Sequence, residues 1–167
     1  MEEKRDFVQR ARKGDKEAFG ALYEDIYADL FRFALYTLKN RQDAEDVVSD
    51  TVISAYQQIG NLRDADAFKG WIFRILSNQC KRRLKEYLDK TVVLPDDLAA
   101  DSLDMAEDSH VRQVFAKLSD EERFIISMHL FAGYNSREIG KILHMNDNTV
   151  RSKESRALKK MEQFLAE

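Results

Sequence analysis

Five side chains that can hydrogen-bond to DNA lie on one side of the last helix that the sequence predicts. Successive residues of a helix advance by about 100°, which groups together Arg151, Ser152, Ser155, Arg156 and Lys159. Arginine can bond a guanine edge with two hydrogen bonds, serine can bond a base or a phosphate, and a helix fits the major groove. The pattern therefore predicts a helix that reads duplex DNA. A solvated basic face on an ordinary helical bundle is the alternative.

The residues before this helix predict a shorter helix and a tight turn, which together make a helix-turn-helix. Asn135 and Glu138 have the spacing of a capping box on the first helix, and Asn146 can cap the second. His144 stands where the chain leaves the first helix, and histidine tolerates positive φ better than most residues. The first helix is expected to bury Ile139, Ile142 and Leu143. The second is expected to turn inward Val150, Ala157, Met161, Phe164 and Leu165.

The composition predicts an all-α protein. The 167 residues include one proline and six glycines, and apolar residues recur at helical intervals with no competing strand pattern. The single cysteine, Cys80, excludes an internal disulfide and a multi-cysteine zinc site, and we predict no cofactor, no metal and no catalytic residue. The sequence has no apolar run long enough to insert into a membrane and no signal-peptide core. We therefore expect the protein in the cytoplasm.

The distribution of charge predicts two small helical domains. The net charge of −3 combines two weakly basic ends with an acidic stretch over residues 86–110, which contains Pro95 and shows little helical periodicity. We predict one domain over 1–86, an acidic flexible linker over 87–107 and a second domain over 108–167. Helices are expected near 3–13, 15–40, 42–59, 68–87, 111–118 and 119–133, with a polar loop over 60–67 and the helix-turn-helix at the end. Ser119 and Glu122 have the spacing of a capping box at the start of the helix near 119–133.

Two sets of motifs resemble the extracytoplasmic-function (ECF) sigma factors of the sigma-70 family. LKNRQDAEDVVSDT (38–51) and FKGWIFRILSNQCKRRLK (68–85) are similar to region 2, the promoter-melting domain. LSDEERFIISMHLFAGYNSREIGKIL and NTVRSKESRALKKM, both within 118–161, are similar to region 4. The resemblance covers nearly the whole chain outside the linker. It implies a subunit without catalytic activity that binds core RNA polymerase, directs it to a promoter and helps to open the duplex.

The resemblance assigns a function to each domain. Region 4 would contact the β flap and would place Lys153 and Lys159 on phosphates. Its readers of the −35 element would be Arg151, Ser152, Ser155 and Arg156. Region 2 would dock on the β′ clamp helices through an acidic helix face, whose residues are Asp43, Glu45, Asp46, Val47 and Asp50. From the spacing alone, these acids could also be a solvated face. An anti-sigma factor is a further expected partner.

Region 2 would also engage the −10 element. Asn61, Arg63 and Asp64 are the candidates for selecting an unstacked base. Phe68 and Trp71 could stack on such a base, although both also fit a core stripe with neighbouring apolar residues. Further contacts with DNA are expected from Arg74, Asn78, Lys81 and Arg82. The acidic linker is either a solvated tether or a segment that occupies the polymerase's path for nascent RNA.

The sequence departs from the family pattern at a few positions. Arg82 replaces an aspartate that is common in the family, and Leu158 stands where a cation is frequent. Glu154 occupies a position that is usually apolar, and a buried carboxylate without a partner is costly. We therefore expect Glu154 to pair with a neighbouring cation or to lie at the groove edge.

Two other classes of function are alternatives to an initiation factor. An autonomous helix-turn-helix repressor or activator would bind a palindromic operator tightly, as a dimer and without polymerase. An enzyme is not supported, because no glycine loop for phosphate is present and nothing pairs Cys80 with a base. The histidines are scattered without the spacing of metal ligands: His110, His129 and His144.

Overall fold

The computed structural model describes residues 1–90 and 108–166, and within them it contains α-helices and no strand. The prediction of an all-α protein is confirmed. The predicted linker over 87–107 lies outside the described residues, except that the fourth helix continues to Lys90. The helices are α1 (Glu2–Arg12), α2 (Lys16–Leu38), α3 (Arg41–Gln58), α4 (Phe68–Lys90), α5 (Asp108–Ala116), α6 (Asp120–Leu130), α7 (Ser136–Leu143) and α8 (Asp147–Leu165).

The first helices begin and end at residues with local hydrogen-bonding capacity. Asp15 accepts a hydrogen bond from the Ala18 amide at 3.1 Å, which caps α2. Asn40 was expected to mark the end of α2, but its side chain caps α3 by accepting from the Asp43 amide at 2.9 Å. Lys39 ends α2 instead, in the left-handed conformation with φ of 58°. The polar loop over 60–67 is confirmed in position and contains two 3-10 turns, Ile59–Asn61 and Ala65–Ala67.

The caps predicted in the second half are confirmed. Ser119 with Glu122, and Asn135 with Glu138, each form a complete capping box at the start of α6 and α7. The prediction that α6 ends at Gly133 was wrong, because the helix ends at Leu130. The chain then turns through Gly133, with φ of +73°. A left-handed residue is needed at that turn, and glycine adopts it without steric cost.

The core of the first half is built around α2. Leu30, Phe33 and Leu38 on this helix are completely buried. The apolar faces of α3 and α4 pack against them, and α1 covers another side. Losing one such aromatic residue costs about 3–5 kcal/mol, because a cavity adds to the lost transfer free energy. This packing holds α3 and α4 in fixed relation and therefore positions their exposed faces.

The two halves of the chain also pack against each other. Phe33 of α2 meets Phe124 of α6 edge-on, with ring centroids 6.1 Å apart. Tyr36, on the same helix, stacks on two rings, with centroid distances of 4.8 Å to Phe115 of α5 and 5.3 Å to Phe131. We call this contact the interdomain interface, formed by α2 and α4 on one side and by α5, α6 and α7 on the other. No pattern of residues had predicted this interface.

Candidate nucleic-acid and polymerase interfaces

The helix-turn-helix is held in a close turn by Gly140. The backbone of α7 passes so near the turn that a Cβ at residue 140 would lie 2.6 Å from the Met145 carbonyl oxygen. The Met145 amide donates to the Gly140 carbonyl at 2.9 Å, and His144 takes the left-handed conformation with φ of 56°, as predicted. Asn146 then caps α8 by accepting from the Asn148 amide at 2.8 Å. The angle between α7 and α8 therefore depends on a position without a side chain.

One side of α8 is exposed and the other is buried. Val150, Ala157 and Met161 face inward as predicted, whereas Leu165 is about half exposed, so its predicted burial was wrong. Leu165 is the last residue of the helix. The five candidate base and phosphate contacts are all exposed: Arg151, Ser152, Ser155, Arg156 and Lys159. This side of α8 has the cations and hydroxyl groups to bond to a DNA major groove.

Two other cations of α8 are occupied by acids of α6. Lys153 forms an ion pair with Glu121, and its side chain is only about one-third exposed. Lys160 Nζ lies 2.6 Å from Glu122 Oε1, and this ion pair and the Ser119 cap together lower the pKa of Glu122 against the opposing effect of burial. The acids attach α8 to α6. Lys153 therefore lies toward α6 and apart from the five exposed side chains.

Glu154 is buried in the centre of the helix-turn-helix domain. Its carboxylate oxygens lie 3.2 Å from His129 Nδ1 on α6 and 3.3 Å from the Ser136 hydroxyl on α7. Glu154 was expected to pair with a neighbouring cation or to lie at the groove edge; its partners are the imidazole of His129 and the hydroxyl group of Ser136. Glu154 belongs to α8 and bonds to one residue of α6 and one of α7. These bonds satisfy part of the hydrogen-bonding capacity of the buried carboxylate, and they link the three helices.

The acidic face of α3 is divided by burial. Asp46 and Asp50 are exposed, and within the described part of the chain neither forms an ion pair. Val47 was predicted as a contact residue, but it is buried in the core and is not accessible to a partner in this conformation. Ile53 shares the exposed face one turn after Asp50 and is 57% exposed. Ile53 was not among the predicted contact residues, although its position three residues after Asp50, on the same helix face, indicated it.

The remaining acids of α3 have partners in the chain. Glu45 Oε1 lies 3.2 Å from Arg41 Nε on the same helix. Asp43 is half-buried, and Arg83 of α4 lies 3.6 Å from its carboxylate. Desolvation raises the pKa of Asp43, and Arg83 opposes that effect only in part. Asp43 is therefore an interhelical contact, in addition to being a candidate for polymerase binding.

The loop between α3 and α4 presents three of the candidate base contacts. Asn61, Arg63 and Asp64 are exposed. The Asp64 carboxylate accepts a hydrogen bond from the Asp66 amide at 3.0 Å, which shapes the turn before α4. Asp66 in turn accepts two hydrogen bonds from the Arg5 guanidinium, at 2.6 and 2.5 Å. This bidentate pair fixes the loop to α1, and no sequence motif had connected these two residues.

The two aromatic candidates at the start of α4 are differently accessible. Phe68 is 7% exposed and packs in the core, so its ring is not available for stacking on a base in this conformation. Trp71 is half-buried, with its ring centroid 6.1 Å from that of Phe68. The polar candidates further along the helix are all exposed: Arg74, Asn78, Lys81 and Arg82. They recur at three- and four-residue spacing and therefore line one side of α4.

The described residues show no arrangement for redox or metal chemistry. Cys80 is completely buried, and burial raises the pKa of its thiol far above the usual range. Its thiolate is therefore not formed at neutral pH, which makes a sensing function unsupported. Within residues 1–90 and 108–166, no group of three histidine, cysteine or acidic side chains could hold a metal ion. No helix of the described part is long and apolar enough to cross a membrane.

Comparison with known protein families matches both halves of the chain. The family model for sigma-70 region 2 matches residues 22–87, and that for sigma-70 region 4 matches residues 110–161. The RNA polymerase sigma-H factor of Pseudomonas aeruginosa is 26% identical over 99% of this chain and 95% of its own. The ECF RNA polymerase sigma factor SigW of Bacillus subtilis is 29% identical over 87% of this chain and 88% of its own.

Solved structures share the fold. CnrH, solved in complex with the cytosolic domain of CnrY, is 22% identical with a TM-score of 0.66, covering 98% of this chain and 97% of its own. The sigma factor RpoE from Bartonella quintana, solved with the anti-sigma factor NepR, is 24% identical with a TM-score of 0.67, covering 89% and 96%. These likenesses extend over both halves, so the same order of helices occurs in all three chains.

Proposed function

Because the chain belongs to the ECF subfamily of the sigma-70 family, it is an initiation factor that binds RNA polymerase and acts at specific promoters, and we propose which of its surfaces perform each step. The family is one of non-enzymatic transcription factors. We assign polymerase binding and −10 recognition to residues 1–86, and −35 recognition to residues 108–167. The acidic segment 87–107 connects the two.

The −35 element is read by the exposed side of α8. The observation that supports this most directly is the separation of the helix into a buried apolar side and an exposed side that carries two arginines, two serines and a lysine. Arg151 is held forward by Asn148, at 2.7 Å, and by Asp147, at 3.1 Å. A guanidinium fixed in this way loses less freedom on binding a guanine edge. We propose that Arg151 and Arg156 read bases and that Lys159 contacts phosphate.

The exposed acids of α3 dock on the β′ clamp helices of core polymerase. Asp46 and Asp50 carry like charges on one face, without a partner in the described chain, and the exposed Ile53 continues that face. Like charges at this spacing weaken an isolated helix, so a cationic partner would relieve a repulsion that the chain does not relieve itself. An apolar residue beside the acids adds buried area to such an interface.

The −10 element is engaged by the loop and by α4. Asn61, Arg63 and Asp64 offer donors and acceptors at an exposed turn, and the cations of α4 follow on the same part of the molecule. Capturing a single-stranded base next to a cationic track is the usual means of stabilising an open duplex. Trp71 remains a candidate for stacking. We also propose an anti-sigma partner, because the fold relatives CnrH and RpoE were each solved in complex with another protein, and the partner of RpoE is an anti-sigma factor.

Run-off transcription with purified core polymerase on genomic fragments tests these assignments. Asp46→Arg is expected to weaken binding to core polymerase at least about tenfold, since close interfacial charge pairs couple by about 1.5–7 kcal/mol. Glu24→Arg is the matched control, because Glu24 is an equally exposed acid on α2 with the same change in charge. If both variants transcribe equally well, α3 is not the docking face. A tight shift of palindromic DNA by the chain alone would instead indicate a repressor.

A further inference from the structure

The first helix, α1, contacts both ends of the loop that we assign to base selection (residues 60–67). Near the start of α1, the Arg5 guanidinium donates to the two carboxylate oxygens of Asp66, at 2.6 and 2.5 Å. At the other end of α1, the Arg12 carbonyl oxygen lies so close to Gly60 that a Cβ on residue 60 would be 3.8 Å from it. One helix therefore supports the loop both where it begins and where it ends.

The helix α1 is itself fixed to the rest of the first half of the chain. Val8 and Ala11 are buried in the core cluster that also contains Leu62 of the loop. On the exposed side of the helix, Lys4 Nζ lies 2.7 Å from the Asp25 carboxylate of α2. Because α1 is held by both contacts, a hydrogen bond from α1 restricts the loop instead of moving with it.

The hydrogen bonds from Arg5 reach one of the candidate base contacts through Asp66. The Asp66 carboxylate accepts from Arg5, and the Asp66 amide donates to the Asp64 carboxylate at 3.0 Å. Asp64 is exposed at the surface of the loop, together with Asn61 and Arg63. The orientation of the Asp64 carboxylate therefore depends on the position of Asp66, which α1 fixes.

The pair of Arg5 and Asp66 is better suited to fixing a loop than to stabilising the fold. The two side chains are 59% and 54% exposed, and ion pairs with such exposure add little to global stability. The bidentate geometry nevertheless fixes both the distance and the orientation of the carboxylate. The hydrogen bond from Arg5 also holds the pKa of Asp66 below its usual range, so the acceptor stays ionised at neutral pH.

We propose that Arg5 is a positioning residue for −10 recognition, which holds the loop through Asp66 in the conformation that receives an unstacked base. This inference rests on the proposed assignment of the loop to base selection. A loop that is ordered before binding loses less conformational freedom when it captures a base. Arg5 acts on the base only through Asp66 and Asp64. The match with sigma-70 region 2 begins at residue 22, so α1 lies outside it.

Binding of single-stranded DNA by the full-length chain on core polymerase tests this inference. The probe is a fluorescent non-template strand that carries the −10 element of a promoter mapped by run-off transcription. Arg5→Gln should weaken binding of this strand about three- to tenfold. That loss corresponds to about 0.6–1.4 kcal/mol, which is the cost of ordering one freed side chain.

Lys4→Gln is the matched control for Arg5→Gln. Lys4 is the adjacent cation of α1, its loss changes the charge equally, and its ion pair with Asp25 does not involve the loop. Lys4→Gln should bind the single strand within about twofold of wild type, because an exposed ion pair elsewhere on α1 does not restrict the loop. Equal binding by Arg5→Gln and Lys4→Gln would overturn the proposal.

Asp66→Ala separates positioning from a direct contact between Arg5 and a phosphate. If only charge mattered, removing an acid near DNA would strengthen binding. Positioning predicts the opposite, a loss about as large as that of Arg5→Gln. The double variant should bind no more weakly than either single variant, since both changes break the same hydrogen bonds. Additive losses, or tighter binding by Asp66→Ala, would show that Arg5 does not act through Asp66 and would refute the inference.

Selectivity for the captured base is a readout that a loss of stability alone would not change. Probes that differ in one base of the −10 element measure the ratio of their affinities. Arg5→Gln should reduce the preference for the promoter's base at least about threefold, because a less ordered Asp64 bonds the correct base less well. Lys4→Gln should keep the preference, and the Tm values of the two variants should agree within about 2 °C. An unchanged preference in Arg5→Gln would mean that Arg5 contributes only to the fold, which contradicts the proposal.

Variants of the loop itself separate this inference from the proposed function. Asn61→Ala, Arg63→Ala and Asp64→Ala remove the candidate base contacts directly. If they weaken single-strand binding and Arg5→Gln does not, the loop keeps its assigned function and only the support by α1 is wrong. If neither the loop variants nor Arg5→Gln change single-strand binding, the assignment of the loop is wrong and the inference is refuted with it.

Discussion

Replacing Gly140 by alanine should destabilise the helix-turn-helix, although alanine is the better helix former. The substitution gains about 0.5–1 kcal/mol from backbone entropy and helix propensity. Against this, the new Cβ would lie 2.6 Å from the Met145 carbonyl oxygen, which is backbone and cannot rotate away. Overpacking of this kind costs about 1–3 kcal/mol. Shifting the turn would also break the hydrogen bond from the Met145 amide to the Gly140 carbonyl, which costs about 1 kcal/mol. The net effect is a loss of about 1–3.5 kcal/mol.

Thermal unfolding followed by circular dichroism measures this prediction. For a chain of this size, about 1–3.5 kcal/mol lowers Tm by about 2–14 °C. Gly20→Ala is the matched control: Gly20 lies inside α2, and a Cβ there would meet nothing within 4 Å. That variant should gain about 0.5–1 kcal/mol and raise Tm. If Gly140→Ala raises Tm as Gly20→Ala does, the close turn does not have the geometry on which this reasoning depends.

Three further predictions follow from the ion pairs and caps. The salt slope is the slope of the logarithm of the binding constant against the logarithm of salt concentration, measured by fluorescence titration of promoter duplex. Arg156→Ala should weaken duplex binding and reduce this slope by about 1. Lys160→Ala removes a cation that is already paired within the chain, so it should leave the slope nearly unchanged. Burial raises the pKa of Asp43 in the folded state. Its negative charge therefore destabilises the fold increasingly as pH rises from the ordinary aspartate value of 3.8 through the folded pKa. In urea denaturation at pH 7, Asp43→Asn should be at least as stable as wild type. The pKa of Asp15 is lowered by hydrogen bonds from the amides at the start of α2 and then by Arg10. Its contribution to the free energy of unfolding is therefore present above pH 3.8 and disappears as pH falls through the folded pKa. Asp15→Ala should have a lower Tm at pH 7 and should lose that pH dependence.

The sequence specified most of the local structure because local structure is governed by short-range contacts. Both capping boxes, the left-handed His144 and the cap at Asn146 lie within a few residues of the groups that they bond. Each was therefore readable from the order of the side chains. The end of α6 was misplaced because Gly133 is a turn residue that follows the helix at a distance of three residues. Glycine shows that a turn occurs but not how many residues precede it.

Contacts between distant parts of the chain were not readable in this way. Arg5 and Asp66 are far apart in sequence, and either could have been a solvated charge. The burial of Val47 on α3 was missed because family resemblance marks residues that share a helix with an interface, without separating the exposed from the buried ones. The interdomain interface was not predicted for the same reason. Tyr36 is indistinguishable from the other apolar residues of its helix until its partners on α5 and α6 are known.

The cations of α8 show why the number of basic residues does not measure the strength of DNA binding. A lysine that is paired with a carboxylate must lose that partner before it can neutralise a phosphate, so it displaces fewer counterions overall. Lys153 and Lys160 are in this condition, held by Glu121 and Glu122 of α6. The salt slope of promoter binding should therefore follow mainly Arg156 and Lys159, which pair with no acid in the described part of the chain. Arg151, which is paired with Asp147, should contribute less to it. In the proposed function, the acids of α6 would serve DNA recognition indirectly, because they fix α8 through Lys153 and Lys160 and leave Arg156 and Lys159 unpaired for phosphates.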